Sequence, residues 1–297
     1  MAAGRLAWRV ALLGALTLGL GASARAAVSA TDDTGRLVRL LRPAQRVISL
    51  APHATELLYG VDAGDQLVGA IEFSDYPAAA KRLPRVGGAR GLDLERIASL
   101  KPDLVVAWQS GNGAAQVERI EGLGIPVFRS EPRELDDIAT SLLRLGVLTG
   151  HTRAALGAAQ EFRARIAHLR VKYMNRAPVR AFYQVWNQPL MTVGGNHLIT
   201  DLLRMCGAVN VFASLATPAP TVSVEAVVAA APEIIIAAAS QTASADLAIW
   251  KKWTRLPAVR NRQLVTVDPD LVTRHTERVA QGAAQLCDLI EAARSGR

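Results

Sequence analysis

The chain is short of the features that mark most function classes. It holds two cysteines and five histidines in 297 residues. No H-E-x-x-H, G-x-S-x-G, P-loop or C-x-x-C pattern occurs. Ser49 and His53 have no acidic partner in a recognisable order, so an enzyme is not expected. A metal-ion receptor needs several histidine and carboxylate ligands converging on one point. Here the histidines are scattered (His53, His151, His168, His197, His275), and at most His53 and His275 are placed to face a cleft. No metal site is expected, and His53 is kept only as a candidate ligand-binding residue. Beyond the first 26 residues no stretch is long and apolar enough for a membrane helix. The sequence pI of about 10.1 would suit a nucleic-acid partner. The basic residues form no block and have no aromatics interleaved with them, which argues for a solvated basic surface instead.

The first residues do have an apolar run. Arg5 and Arg9 precede Val10 to Gly21, which is too short to span a bilayer, and Ala24-Arg25-Ala26 has the small-x-small form of a cleavage site. Residues 1–26 are read as a cleaved signal peptide, with no cysteine near the cut to carry a lipid anchor. The mature chain is then exported to an oxidising compartment. Loss of Arg5, Arg9 and Arg25 takes the net charge from +8 to +5.

Residues 152–174 lack proline and interior breaks apart from Gly157. Apolar residues at Leu156, Ala159, Phe162, Ile166, Leu169 and Tyr173 recur every three or four positions, the period of one helix face. Such a helix would be roughly 34 Å long. Blocks of alternating strands and helices lie on both sides of it. Val47–Leu50, Leu67–Ala70, Leu104–Ala107 and Val127–Phe128 are near-continuous apolar runs before it. Arg180–Gln184, Ile234–Ile236 and Leu264–Val267 follow it. Asp33-Thr34-Gly35 marks a hairpin turn near the start, Ala51-Pro52-His53 a loop, and Asn196 the cap of a helix over 197–206. This is the pattern of mainly parallel sheets covered on both faces. The fold class is therefore α/β: two similar lobes, 27–147 and 177–297, joined by one long rigid α-helix within 148–176, with a ligand cleft between the lobes.

An internal repeat supports the two-lobe reading. Residues 93–107, DLERIASLKPDLVVA, align without a gap on residues 223–237, SVEAVVAAAPEIIIA. Asp93 and Ser223 are matching helix caps, Glu95 and Glu225 fall in matching first turns, and Pro102 and Pro232 precede matching strands. A carboxylate in a first helical turn complements the helix dipole by about 0.3–1 kcal/mol. Two symmetric carboxylates also suit docking onto a two-fold partner such as a dimeric membrane permease with an arginine pocket in each half. Spacing alone leaves both readings open. For Cys206 and Cys287, export favours a disulfide over two buried thiols.

From Arg46 to Leu286 the chain resembles the cobalamin-binding proteins of ABC importers, within the class of binding proteins whose lobes are joined by a single helix. The matching stretches are RVISLAPHATELLYG (46–60), SDYP (74–77), GLDLERIASLKPDLVVAW (91–108), TVSVEAV (221–227), RMCG (204–207) and AQLCDL (284–289). The resemblance implies an exported, monomeric receptor that captures cobalamin or another corrinoid and delivers it to an inner-membrane ABC permease dimer, with no cofactor of its own. It implies that Glu95 and Glu225 dock the permease and that Cys206 and Cys287 form a disulfide. It also implies that Tyr76, Trp108 and Trp186 pack on the ligand, with Asp270 and Arg274 at the mouth of the second lobe. Ala89, Ala219 and Leu271 stand where the family carries tryptophans, so the aromatic cradle is thinner. Haem or a ferric siderophore is the alternative ligand.

Overall fold

The computed structural model describes residues 26–88, 91–173, 175–239 and 247–296. The expected signal peptide, except for Ala26, lies outside the described residues, as does Ala89. Two four-stranded parallel sheets carry the fold. The first runs Leu67–Ala70, Val47–Ser49, Leu104–Trp108, Val127–Ser130; the second runs Ala208–Asn210, Val179–Gln184, Ile234–Ala238, Leu264–Val267. In chain order within each sheet both read 2-1-3-4. An antiparallel hairpin of Val28–Thr31 and Leu37–Leu40 precedes the first sheet, turning at Gly35.

The repeat extends to individual backbone bonds. Asp93 and Ser223 cap their helices by accepting from the backbone N–H three residues on, at 2.8 and 3.1 Å. Lys101 and Ala231 both adopt positive φ, 46° and 42°, immediately before Pro102 and Pro232. A proline disfavours αR in the residue before it, and here both lobes resolve that conflict with the same left-handed residue. Asp103 then bonds the backbone N–H of Arg46, and Glu233 that of Arg180. The Arg46 side chain returns to the Leu100 carbonyl and the Arg180 side chain to that of Ala230.

The helix Thr152–Tyr173 joins the two halves over 22 residues, or roughly 33 Å. Its buried stripe is Ala155, Ala159, Phe162, Ile166, Leu169 and Tyr173. Leu156, expected in that stripe, is 49 % exposed. The reason is a close approach at Gly146 of the preceding helix, Leu135–Thr149, where a Cβ would fall 2.2 Å from the Ala155 Cβ. Only a small residue can face that point, so the stripe starts at Ala155 and Leu156 turns outward. Arg163 clasps Asp136 across the two helices at 2.6 and 2.9 Å. At the far end the Tyr173 hydroxyl donates to Asp288 of the last helix, Val279–Ser295, at 2.6 Å. One continuous apolar core runs from the first half through this helix into the second. Separate clusters around Ile48 and Phe182 lie on the other faces of the two sheets. Cys206 and Cys287, both fully buried, form a disulfide with S–S 1.97 Å that ties the last helix to the helix Leu198–Met205.

Two helix starts differ from expectation. Pro52 and His53 belong to the helix Pro52–Gly60 rather than to a loop, because a proline in the first helical turn gives up an N–H that has no intrahelical partner. His197, not Asn196, caps Leu198–Met205: its Nδ1 accepts from the Ile199 N–H at 3.1 Å.

Candidate functional site

The carboxyl ends of the two sheets meet across a cleft of about 400 Å³. Open α/β sheets bind ligands beyond those ends. From the first half come Trp108, ending its strand, and Ser110 and Glu131. From the second come Tyr183, Val185, Val193, His197, Ile199, Ala219 and Ala238, with Thr273 and His275. The lining is mostly apolar, and Glu131 is its one charged residue among the described residues. Its carboxylate accepts from the Ser110 N–H and hydroxyl.

Trp108 is the expected site residue placed in the cleft. Its indole lies edge-on to His53, centroids 5.6 Å apart. It sits so tightly over Gly111 that a Cβ there would fall 2.0 Å from the ring. His53 is behind the wall, not on it: it is 5 % exposed and its Nε2 lies 3.4 Å from the Ser130 hydroxyl. Burial pushes its pKa down to about 4. His275 lies 5.9 Å from both the His53 and the His197 rings. Burial likewise lowers His197 to about 4 and His275 well below the ordinary histidine value. These are three neutral imidazoles in a row. No group of three or more His, Cys, Asp or Glu side chains is placed to hold a metal ion among the described residues.

The remaining candidates lie outside the cleft wall. Arg274 is tied up by protein carboxylates and not presented to an anionic ligand edge or to solvent. It bonds Glu56 at 2.8 Å, Asp75 at 2.7 Å and Asp270 at 3.1 Å, with its side chain 13 % exposed. Burial opposes its charge, but the bonds from Asp75 and Glu56 and the field of Asp270 win, and its pKa is raised. For Asp75, burial acts upward and the Arg274 bond outweighs it, so its carboxyl stays below the usual range. Glu56, 3 % exposed in the first helix, also accepts from the Thr276 hydroxyl at 3.0 Å and from Arg278 at 3.3 Å. The cluster therefore bolts the first half to the second. Tyr76, 47 % exposed, lies under the Arg278 guanidinium at 4.0 Å from its ring centroid. Trp186 is 62 % exposed on a hairpin of Trp186–Asn187 and Leu190–Met191, its Nε1 donating to the Gln188 carbonyl at 2.9 Å. Glu95 and Glu225 are exposed in their matching first turns and form no ion pair among the described residues.

Residues 47–271 match the family described as periplasmic binding protein. The chain belongs to that family. As a periplasmic binding protein it is 38 % identical over 256 residues to the vitamin B12-binding protein of Vibrio parahaemolyticus serotype O3:K6, covering 86 % of this chain and 92 % of that one. It is 37 % identical over 245 residues to the vitamin B12-binding protein of Yersinia pestis strain Pestoides F, covering 82 % and 85 %. The crystal structure of the periplasmic vitamin B12 binding protein BtuF of Vibrio cholerae superposes with a TM-score of 0.79 at 36 % identity, over 84 % of this chain and 98 % of that one. The periplasmic heme-binding protein BhuT shares the fold at 22 % identity and a TM-score of 0.74, over 84 % and 98 %.

In this periplasmic binding protein, residue patterns alone passed over Tyr183, His197 and Glu56. Tyr183 is one apolar position among several in its strand, and His197 reads as a cap neighbour. Glu56 did carry a signal: it is a lone acid amid Ala54, Leu57 and Leu58 on a buried helix, and a buried carboxylate requires a partner.

Proposed function

We propose that the protein is an exported substrate-binding protein that captures cobalamin or a related corrinoid in the cleft and delivers it to an ABC permease. The observation that carries this reading is the cleft itself. It is an apolar slot at the carboxyl ends of two duplicated sheets, floored by Trp108, in a chain whose relatives at 36–38 % identity are named vitamin B12-binding proteins. A broad planar chelate presents apolar faces that stack on aromatic rings. The cleft is smaller than a whole corrinoid, so part of the ligand would stand in the mouth. There the exposed rings of Tyr76 and Trp186 would cover it, with Asp270 at the rim. Arg274 would act by holding the two halves in register. Glu95 and Glu225, one on each half, would dock a permease dimer, and the receptor would work as a monomer in the periplasm. The haem-binding neighbours share 22–24 % identity, a likeness of fold, and leave haem as the second choice.

Calorimetric titration of the mature protein with cyanocobalamin, haemin and a ferric siderophore tests the reading. Cyanocobalamin should bind tightest, and Trp108→Ala should weaken it by about 1–3 kcal/mol. Saturable binding of haemin with none of cyanocobalamin would replace the assignment.

A further inference from the structure

The cleft holds buried polar atoms that no protein group satisfies. The Tyr183 hydroxyl, on a side chain 2 % exposed, has no hydrogen-bond partner. The same holds for the Nε1 of Trp108 and for the Nδ1 of His275, which is 7 % exposed. All three residues line the cleft. A buried polar group left unpaired is costly, and it calls for a partner that the protein does not supply, a bound water or a ligand.

Burial keeps the His275 ring neutral, and a neutral imidazole carries one donor and one acceptor nitrogen. Nδ1 is a ring nitrogen left without a protein partner. The Trp108 indole can only donate, and the Tyr183 hydroxyl donates or accepts. Among the described residues the wall therefore offers unpaired hydrogen-bonding atoms but no free cation: its charged residue is Glu131, and nearby Arg274 is occupied by three carboxylates. A carboxylate entering this cleft would meet a negative neighbour and no compensating cation among the described residues of a mostly apolar wall. A primary amide carries both N–H donors and a carbonyl acceptor, and matches the wall.

Resting on the corrinoid reading above, we propose that Tyr183 and His275 are specificity residues that read the carboxamide fringe of the bound chelate, selecting amide-fringed rings over carboxylate-fringed ones. Tyr183 donates to an amide carbonyl and His275 bonds an amide group through Nδ1. Haem, whose ring edge bears carboxylates, is disfavoured by the same atoms.

The test uses the mature protein with cyanocobalamin and with its monocarboxylic acids, each made by hydrolysing one ring amide. The wild type should bind at least one of these acids tenfold or more weaker than cyanocobalamin. Tyr183→Phe, which keeps the ring and removes the hydroxyl, and His275→Phe should each weaken cyanocobalamin about five- to tenfold. Each should also narrow its advantage over the discriminated acid, with the unfolding midpoint serving as a folding control. Folded variants with wild-type affinity and undiminished discrimination would overturn the inference while leaving the corrinoid reading intact. If a variant does not fold, the wild-type series decides: equal affinity for cyanocobalamin and every monocarboxylic acid overturns the inference. A wild type that binds no cyanocobalamin overturns the corrinoid reading, and this inference with it.

Discussion

Replacing Arg274 with methionine removes the hub of the contact that bolts the two halves together. The apolar stem is kept and the charge is lost. Glu56 would then stay 3 % exposed with its charge answered by Arg278 at 3.3 Å and the Thr276 hydroxyl at 3.0 Å. Removing one partner of a buried ion pair costs about 3–5 kcal/mol when nothing replaces it. The surviving Arg278 contact lowers that to roughly 2–3 kcal/mol. Asp75 and Asp270, each with its side chain 48 % exposed, can return to water and add little. In urea the midpoint should fall by roughly 1 M at unchanged slope. The double variant Glu56→Leu with Arg274→Met removes both buried charges and should recover at least half of the loss, since apolar replacements of buried pairs are often neutral. A double variant as unstable as the sum of the two single changes would show that these groups do not act as one unit, and the reasoning would fail.

Acid should loosen the fold through its buried histidines. His53 and His197 have folded-state pKa values lowered to about 4 by burial, against roughly 6.5 in the unfolded chain. Between these values the unfolded state binds more protons, so stability falls as pH drops from about 7 toward 4 and is flat above 7, by up to roughly 3 kcal/mol per histidine. Urea midpoints that stay constant from pH 4 to 8 would contradict this. Cys206→Ala with Cys287→Ala opens a bridge between residues 81 apart in sequence and should cost roughly 2–4 kcal/mol, read as a lowered urea midpoint relative to the oxidised protein. Glu95→Arg with Glu225→Arg should leave cyanocobalamin affinity unchanged in calorimetry and abolish capture by permease-containing vesicles. Loss of ligand affinity instead would show that the two acids belong to the cleft.

Periodicity and duplication carried most of the fold. The 159–173 stripe, the gapless match of 93–107 with 223–237, and the near-continuous apolar strands all have physical causes that act locally, so they are visible without coordinates. What was missed arises between distant segments. The exclusion of Leu156 from the buried stripe depends on Gly146 across a helix pair. The capture of Arg274 depends on Glu56, 218 residues away. The edge strand Ala208–Asn210 has three residues and no pattern to find. Of the cleft lining, Trp108 was legible only through the family resemblance, since the apolar run reads as a strand ending at Ala107, one residue short. Tyr183 was not, because its hydroxyl is distinguished only by having no partner, and that cannot be read from one strand.

The duplication also constrains which side of the molecule would face a permease. Parallel strands are joined by crossovers that return the chain antiparallel to the sheet. The helices Leu94–Ser99 and Val224–Ala230 each lead into the third strand of their own sheet. Their first turns therefore lie toward the carboxyl ends of the strands, the same ends that form the cleft. Glu95 and Glu225 thus stand on either side of the cleft mouth rather than on the far faces of the two halves. A two-fold partner that engaged both carboxylates would have its own axis over that mouth. On this geometry docking and delivery would become one placement: two contacts that fixed the receptor on a permease would also centre a bound chelate over the path it must enter.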